Sequence, residues 1–175
     1  MKRALVFALA GMIAAAGAGA QASLSPSASL PKLDGVIGSG EYAYNTAING
    51  IELGATLGTD GMLYLAVQAP TSGWVAVGTG GLVMNGSRLY FGAIQDGKPA
   101  FAEMAGAGHG AVPAKTAVVK KWAVASSGGK TTLELVLPSG DAVWKGSVNS
   151  IFAYSMAPDF RTRHSAKGSI SYEIK

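Results

Sequence analysis

The sequence predicts an all-β protein: an antiparallel β-sandwich of Ig-like proportions with about nine strands. From residue 32 onward, apolar residues fall into short runs separated by turn residues, which is the spacing of strands rather than helices. The 25 glycines and 7 prolines also interrupt the 175-residue chain too often for long helices. Three turn signals, Asp60-Gly61, Asp96-Gly97 and Ser127-Gly128-Gly129, predict hairpins between successive runs.

The chain is predicted to begin with an export signal. A basic Lys2-Arg3 pair precedes an apolar run at 4–16 and the A-x-A cleavage pattern Ala20-Gln21-Ala22. The apolar run is shorter than the roughly 20 residues that span a membrane, and no second run of spanning length follows. We interpret residues 1–22 as a signal peptide cleaved near Ala22, which predicts a periplasmic or secreted protein without a membrane span in its mature form.

The remaining elements follow in chain order. Residues 23–32 are rich in Ser, Ala and Pro and predict a flexible leader, and residues 33–175 form one predicted sandwich domain. The predicted strands are 51–58, 62–69, 74–78, 88–94, 99–104, 114–125, 131–137, 150–156 and 169–174.

Composition excludes several functions. The chain has no cysteine, which removes disulfides, thiolate-bound metals and thiol nucleophiles, and its two histidines, His109 and His164, are too few for a histidine-rich metal site. Cleavage would leave 14 − 2 = 12 basic side chains against 10 acidic ones, without a basic stretch interleaved with aromatics, so nucleic acid is not an expected partner.

Motifs of catalysis are also missing. The sequence contains no G-x-S-x-G elbow, no phosphate-binding G-K-[ST] after a glycine-rich loop and no calcium loop. The acidic residues are scattered, and several lie in turns, where solvated charges are common. We therefore expect a protein that is not an enzyme.

Three segments resemble the DOMON family in the family's order. They are LDGVIGSGEY at 33–42, GWVAVGTGGLVMNGSRLYFG at 73–92 and DFRTRHSAKGSI at 159–170. The second has the family's strand, glycine-rich methionine loop and apolar strand, and the third its late histidine before the last strand. One departure is Arg88, since family members often have Asp or Ala there, and its orientation is left open.

The resemblance implies a β-sandwich that binds haem b or sugars. In cytochrome members, the loop methionine and the late histidine are the axial haem ligands, which correspond here to Met84 and His164. A thioether and an imidazole give a six-coordinate iron suited to electron transfer. Candidate residues of the haem slot are Trp74, Tyr90, Phe91, Tyr154, Met156 and Phe160, and candidates for the propionates are Arg161, Arg163 or Lys167.

Three functions therefore stay open. The first is an exported b-type cytochrome domain that passes single electrons to a redox partner, such as an exported dehydrogenase or a membrane cytochrome. The second is a haem-free module of the same fold that binds a carbohydrate or another ligand. The third is a structural or interaction sandwich, in which Met84 is a packing residue and His164 and His109 are exposed loop histidines.

Overall fold

The computed structural model describes residues 22–175. Most of the predicted signal peptide lies outside these residues, so its cleavage near Ala22 stays a prediction. The described chain is a sandwich of two β-sheets with one short 3-10 helix at Ser139–Asp141, which confirms the predicted fold class. Within residues 22–175, no helix has the length and apolar character needed to cross a bilayer.

Fourteen strands are present in the described part of the chain. They are β1 (Ser23–Leu24), β2 (Pro26–Ser27), β3 (Tyr44–Ile48), β4 (Ile51–Gly58), β5 (Met62–Ala69), β6 (Val75–Thr79), β7 (Arg88–Gln95), β8 (Lys98–Ala107), β9 (Gly110–Pro113), β10 (Lys121–Ser127), β11 (Lys130–Pro138), β12 (Val143–Trp144), β13 (Ser147–Tyr154) and β14 (Ala166–Ile174).

The strands form a larger and a smaller sheet. The larger sheet has the order β1-β14-β13-β6-β7-β8-β9, with β12 also paired to β13. The smaller sheet has the order β10-β11-β5-β4-β2, with β3 also paired to β4. Neighbouring strands are antiparallel except for β1 beside β14 and β2 beside β4.

The core lies between the two sheets, and alternate residues of each strand point into it. Leu63, Leu65 and Val67 of β5 pack there, while Tyr64 and Ala66 join a smaller apolar cluster on the outer side of the same sheet. This explains why the sequence of β5 is apolar at every position from 63 to 67, as expected for a strand that is buried on both faces.

The opening DOMON-like segment is anchored to the outer side of the smaller sheet by a buried carboxylate. Glu134 on β11 accepts hydrogen bonds from the backbone N–H groups of Asp34 and Gly35, at 2.9 and 2.6 Å, and from the Tyr42 hydroxyl at 2.7 Å. Burial raises the pKa of Glu134, although the three donors act in the opposite direction. The segment thus has a structural role, away from the larger sheet.

Three sequence expectations differ from the structure. Residues 23–27 of the predicted leader form β1 and β2, which extend the two sheets, and Leu24 is 1% exposed in the core. The count of about nine strands is too low, because β1, β2, β3, β9 and β12 have no counterpart among the expected strands. Three of these, β1, β2 and β12, are two residues long and have no apolar period to detect. The predicted strand 114–125 is also shorter than expected, since it begins at Lys121.

Candidate functional site

The outer face of the larger sheet carries a second apolar cluster. On β6, β7 and β13, the residues that alternate with the core residues face outward. The cluster is built from Trp74, Ala76, Leu89, Phe91 and Ala93, with further partly buried side chains packed around them. Surface-facing strands of a sandwich usually alternate apolar and polar residues, so an apolar outer face indicates a covered or ligand-binding surface.

A cavity of about 1380 Å³ lies on this face. It exceeds the roughly 300–1,000 Å³ of an ordinary small-molecule pocket. Its floor includes Ala76 and Gly78 of β6, Leu89 and Phe91 of β7, and Ala153 of β13. The small side chains of Ala76 and Ala153 leave space above the sheet that larger residues would fill, whereas the space above Gly78 is taken by the side chains of Leu89 and Ile151.

One wall is the β6–β7 loop, which carries Met84. Hydrogen bonds fix this loop to the end of β8: Gly86 N–H donates to the Gly106 carbonyl at 3.1 Å, and Gly106 N–H donates to the Ser87 carbonyl at 2.8 Å. A Cβ atom at Gly106 would lie 1.8 Å from the Met84 carbonyl oxygen. The close approach therefore requires glycine at 106, and it sets the position of the Met84 backbone.

The opposite wall is the β13–β14 loop, which carries His164. The base of this loop is closed by Ser165 N–H, which donates to the Tyr154 carbonyl at 2.7 Å, and its first residues bond to the segment around Trp74. Phe160 of this loop packs against Phe91 of the floor, with ring centroids 5.6 Å apart. The loop thus extends the apolar lining and brings His164 to the cavity.

The electrostatics of the His164 wall favour a neutral imidazole and an anionic partner. Burial lowers the pKa of His164, and the positive charges of Lys167 and Arg163 lower it further. Arg161 is ion-paired with Asp159 at 3.3 Å, whereas Arg163 and Lys167 form no ion pair within residues 22–175. All three cations line the cavity.

Trp74 contributes an unpaired donor. It lines the cavity and is 3% exposed, and its Nε1–H is the only buried side-chain group of the described residues without a hydrogen-bond partner. Leaving a buried donor unpaired costs about 1–3 kcal/mol. A ligand with an acceptor atom at this place would remove that cost.

The cavity brings together five of the seven residues that the sequence analysis assigned to the cofactor: Met84, His164, Trp74, Phe160 and Arg161. The other two, Tyr90 and Tyr154, do not line it. Tyr90 is fully buried between the sheets and lies 3.2 Å from the Thr79 hydroxyl, and Tyr154 packs against the same central core. Each lies one residue along its strand from a residue that faces outward.

The structure also places four other residues that the sequence analysis discussed, Met156, Phe91, Arg88 and His109. Met156 is 62% exposed and does not line the cavity, whereas Phe91 does. Arg88 is ion-paired with Glu103 and donates to the Thr116 carbonyl at 2.6 Å, on the side of the sheet away from the cavity. His109, which the sequence suggested was an exposed loop residue, is exposed and also lines the cavity. His109 reaches the cavity because β8 and β9 pair as a hairpin whose turn is formed by residues 108–109.

Comparison with solved structures finds this fold in cytochrome domains. The chain is similar to the cytochrome b domain of pyranose dehydrogenase from Coprinopsis cinerea, with 15% identity, a TM-score of 0.54, and coverage of 70% of this chain and 76% of that domain. It is also similar to the cytochrome domain of cellobiose dehydrogenase from Myriococcum thermophilum, with 11% identity, a TM-score of 0.54, and coverage of 75% and 81%.

No protein-family model and no curated protein matches the chain. At identities of 11–15%, the likeness to the two solved domains is one of fold. It supports, at that level, the resemblance drawn from the three sequence segments.

Proposed function

We propose that the protein is an exported b-type cytochrome domain that holds one non-covalent haem b between Met84 and His164 and transfers single electrons. The observation that carries this proposal is that both residues, from loops on opposite sides of an apolar sheet face, line one cavity large enough for a flat macrocycle. The two similar solved domains are themselves cytochrome domains of dehydrogenases.

The donor set fits this group. A bound haem supplies an iron that exchanges one electron between its ferric and ferrous states. The Met84 thioether would offer a soft sulfur donor and the His164 imidazole a nitrogen donor, and such a pair would raise the reduction potential. A haem held by both donors would suit electron transfer rather than oxygen activation.

The lining fits as well. Leu89, Phe91 and Phe160 would present apolar surface to a flat ring and exclude water from it. Arg163 and Lys167, which form no ion pair within residues 22–175, would be available to pair with the two carboxylates at its edge. The Trp74 Nε1–H is a further donor for an acceptor on the ligand. We infer that the redox partner is an exported dehydrogenase or a membrane cytochrome.

A visible spectrum tests the proposal. Full-length protein expressed with ample haem and recovered from the export compartment is expected to be red, with low-spin haem b bands that sharpen on addition of dithionite. His164→Ala should change the spin state or the haem content, and Met84→Ala should alter the spectrum and lower the reduction potential because a thioether is lost. The matched control is Met156→Ala, since Met156 is exposed and outside the cavity.

Two results would contradict the proposal. A colourless wild-type protein after expression with ample haem would leave the haem-free ligand-binding alternative. Unchanged spectra in both Met84→Ala and His164→Ala would show that the axial ligands are other residues.

The carbohydrate alternative has less support in the described residues. Trp74 is almost fully buried, and Trp122, which is 42% exposed, already stacks on Phe101 with ring centroids 5.1 Å apart. One face of the Trp122 ring is therefore occupied by a side chain. Glycan binding that is lost in Trp122→Ala and retained in Met84→Ala would nevertheless favour this alternative.

A further inference from the structure

We infer that His109 is a second axial ligand on the Met84 wall, able to take the position of Met84 on the same face of the haem. The inference rests on the proposed function and adds a residue to it that the family resemblance does not supply. It starts from the observation that His109 lines the same cavity as Met84 and His164.

The hydrogen bonds place the His109 turn beside Met84. Three backbone N–H groups join the loop of Met84 to the β8–β9 hairpin. Gly86 N–H donates to the Gly106 carbonyl, and Gly106 N–H donates to the Ser87 carbonyl. The third donor is Gly108 N–H, which bonds to the Asn85 side-chain oxygen at 2.9 Å. His109 follows Gly108 directly. The two candidate ligands therefore lie on adjacent, mutually bonded segments of one wall, whereas His164 lies on the other.

The turn leaves the His109 side chain free to move into the cavity. Ala107 pairs with Gly110, so Gly108 and His109 are the two central residues of a hairpin turn. Gly108 has φ +60°, as the first central residue of a type II′ turn requires. The His109 side chain is exposed and makes no hydrogen bond, ion pair or ring contact within the described part of the chain. No existing interaction has to be broken when its imidazole turns inward.

The exchange of ligands is chemically balanced. The thioether sulfur and an imidazole nitrogen are both two-electron donors, so one bond to iron would break as the other forms, with no oxidant or reductant required. Nitrogen donors favour ferric iron relative to sulfur donors. Occupation by His109 is therefore expected to lower the reduction potential relative to the Met84 form.

The test compares four versions of the haem-loaded full chain at pH 8: wild type, Met84→Ala, His109→Ala and the double variant. Met84→Ala is expected to stay low-spin, with the electron paramagnetic resonance signature of two imidazole ligands. The double variant is expected to lose the low-spin bands. Met84→Ala combined with Val112→Ala is the control, because Val112 is exposed on the same hairpin and does not line the cavity.

Each outcome decides one claim. A high-spin Met84→Ala that matches the double variant overturns the role of His109, as does a double variant that stays low-spin. A wild-type protein that takes up no haem overturns the proposed function, and the inference with it. If Met84→Ala leaves the wild-type spectrum unchanged while His109→Ala alters it, then His109 is the resident ligand and only the assignment of Met84 fails. Urea unfolding of each variant without haem checks that it folds.

Discussion

Gly106→Ala tests whether the backbone contact at this glycine positions Met84. The added Cβ would lie 1.8 Å from the Met84 carbonyl oxygen and 2.7 Å from its carbonyl carbon. Since real Cβ atoms essentially never approach closer than 3.0 Å, the Met84 backbone and β8 must separate by at least 3.0 − 1.8 = 1.2 Å. Both contacts involve backbone atoms, so rotation of a side chain cannot relieve them.

The cost has two parts. Overpacking of this kind destabilises proteins by about 1–3 kcal/mol. The separation also strains the hydrogen bonds that join Gly106 to Ser87 and Gly86, each worth about 1 kcal/mol. We expect the free energy of unfolding to fall by about 2–4 kcal/mol. Because a shift of about 1 Å is enough to spoil a positioned group, the variant should also bind haem more weakly and show an altered spectrum.

Urea unfolding of the haem-free chain and haem titration of the folded chain measure the two effects separately. Gly140→Ala is the control, because no atom lies within 4 Å of a Cβ at that position, and its stability should stay within about 1 kcal/mol of wild type. The reasoning is refuted if Gly106→Ala unfolds at the wild-type urea midpoint and takes up haem with the wild-type spectrum.

Two further predictions concern the fold. Burial raises the pKa of Glu134, so its contribution to stability is fully present below about pH 4.5 and is lost as the pH rises through the folded-state pKa. Urea unfolding at pH values from 4 to 8 measures the free energy of unfolding of wild type and Glu134→Gln. As the pH rises, wild type should lose stability relative to the variant. A difference between the two proteins that stays constant with pH would contradict the raised pKa. Leu24→Ala should lower the free energy of unfolding by about 2–5 kcal/mol, because Leu24 is 1% exposed in the core. A change below about 0.5 kcal/mol would instead be the result for a flexible leader.

Strand boundaries were predictable where a turn signal and an apolar run adjoin. The expected strands 51–58 and 62–69 coincide with β4 and β5, because Asp60-Gly61 fixes the hairpin between them. By contrast, β1, β2 and β12 are two residues long, and no periodicity can be recognised over two residues. Leu24 is buried by pairing with the end of the chain, a long-range contact that the local sequence does not reveal.

The site was predictable as far as its motifs extend. Met84 and His164 are 80 positions apart, yet their family motifs predicted a shared site, and both line the same cavity. The assignment of Tyr90 and Tyr154 to the cavity was wrong, because aromatic character does not tell which face of a strand a residue occupies. On β7, Leu89 and Phe91 face the cavity and Tyr90 faces the core. Since a side chain changes face at every residue, an error of one position moves it to the other side of the sheet.

The composition of the cavity floor bears on what could cover this face of the larger sheet. A covering helix or sheet requires side chains that interdigitate with it, and large residues would supply them. The floor combines small and large apolar side chains: Ala76 of β6 pairs with Ala153 of β13, Leu89 and Phe91 of β7 lie beside them, and Phe160 packs on Phe91. The recess above the two alanines is therefore flanked by apolar surface, and the two loops with Met84 and His164 reach it from either side.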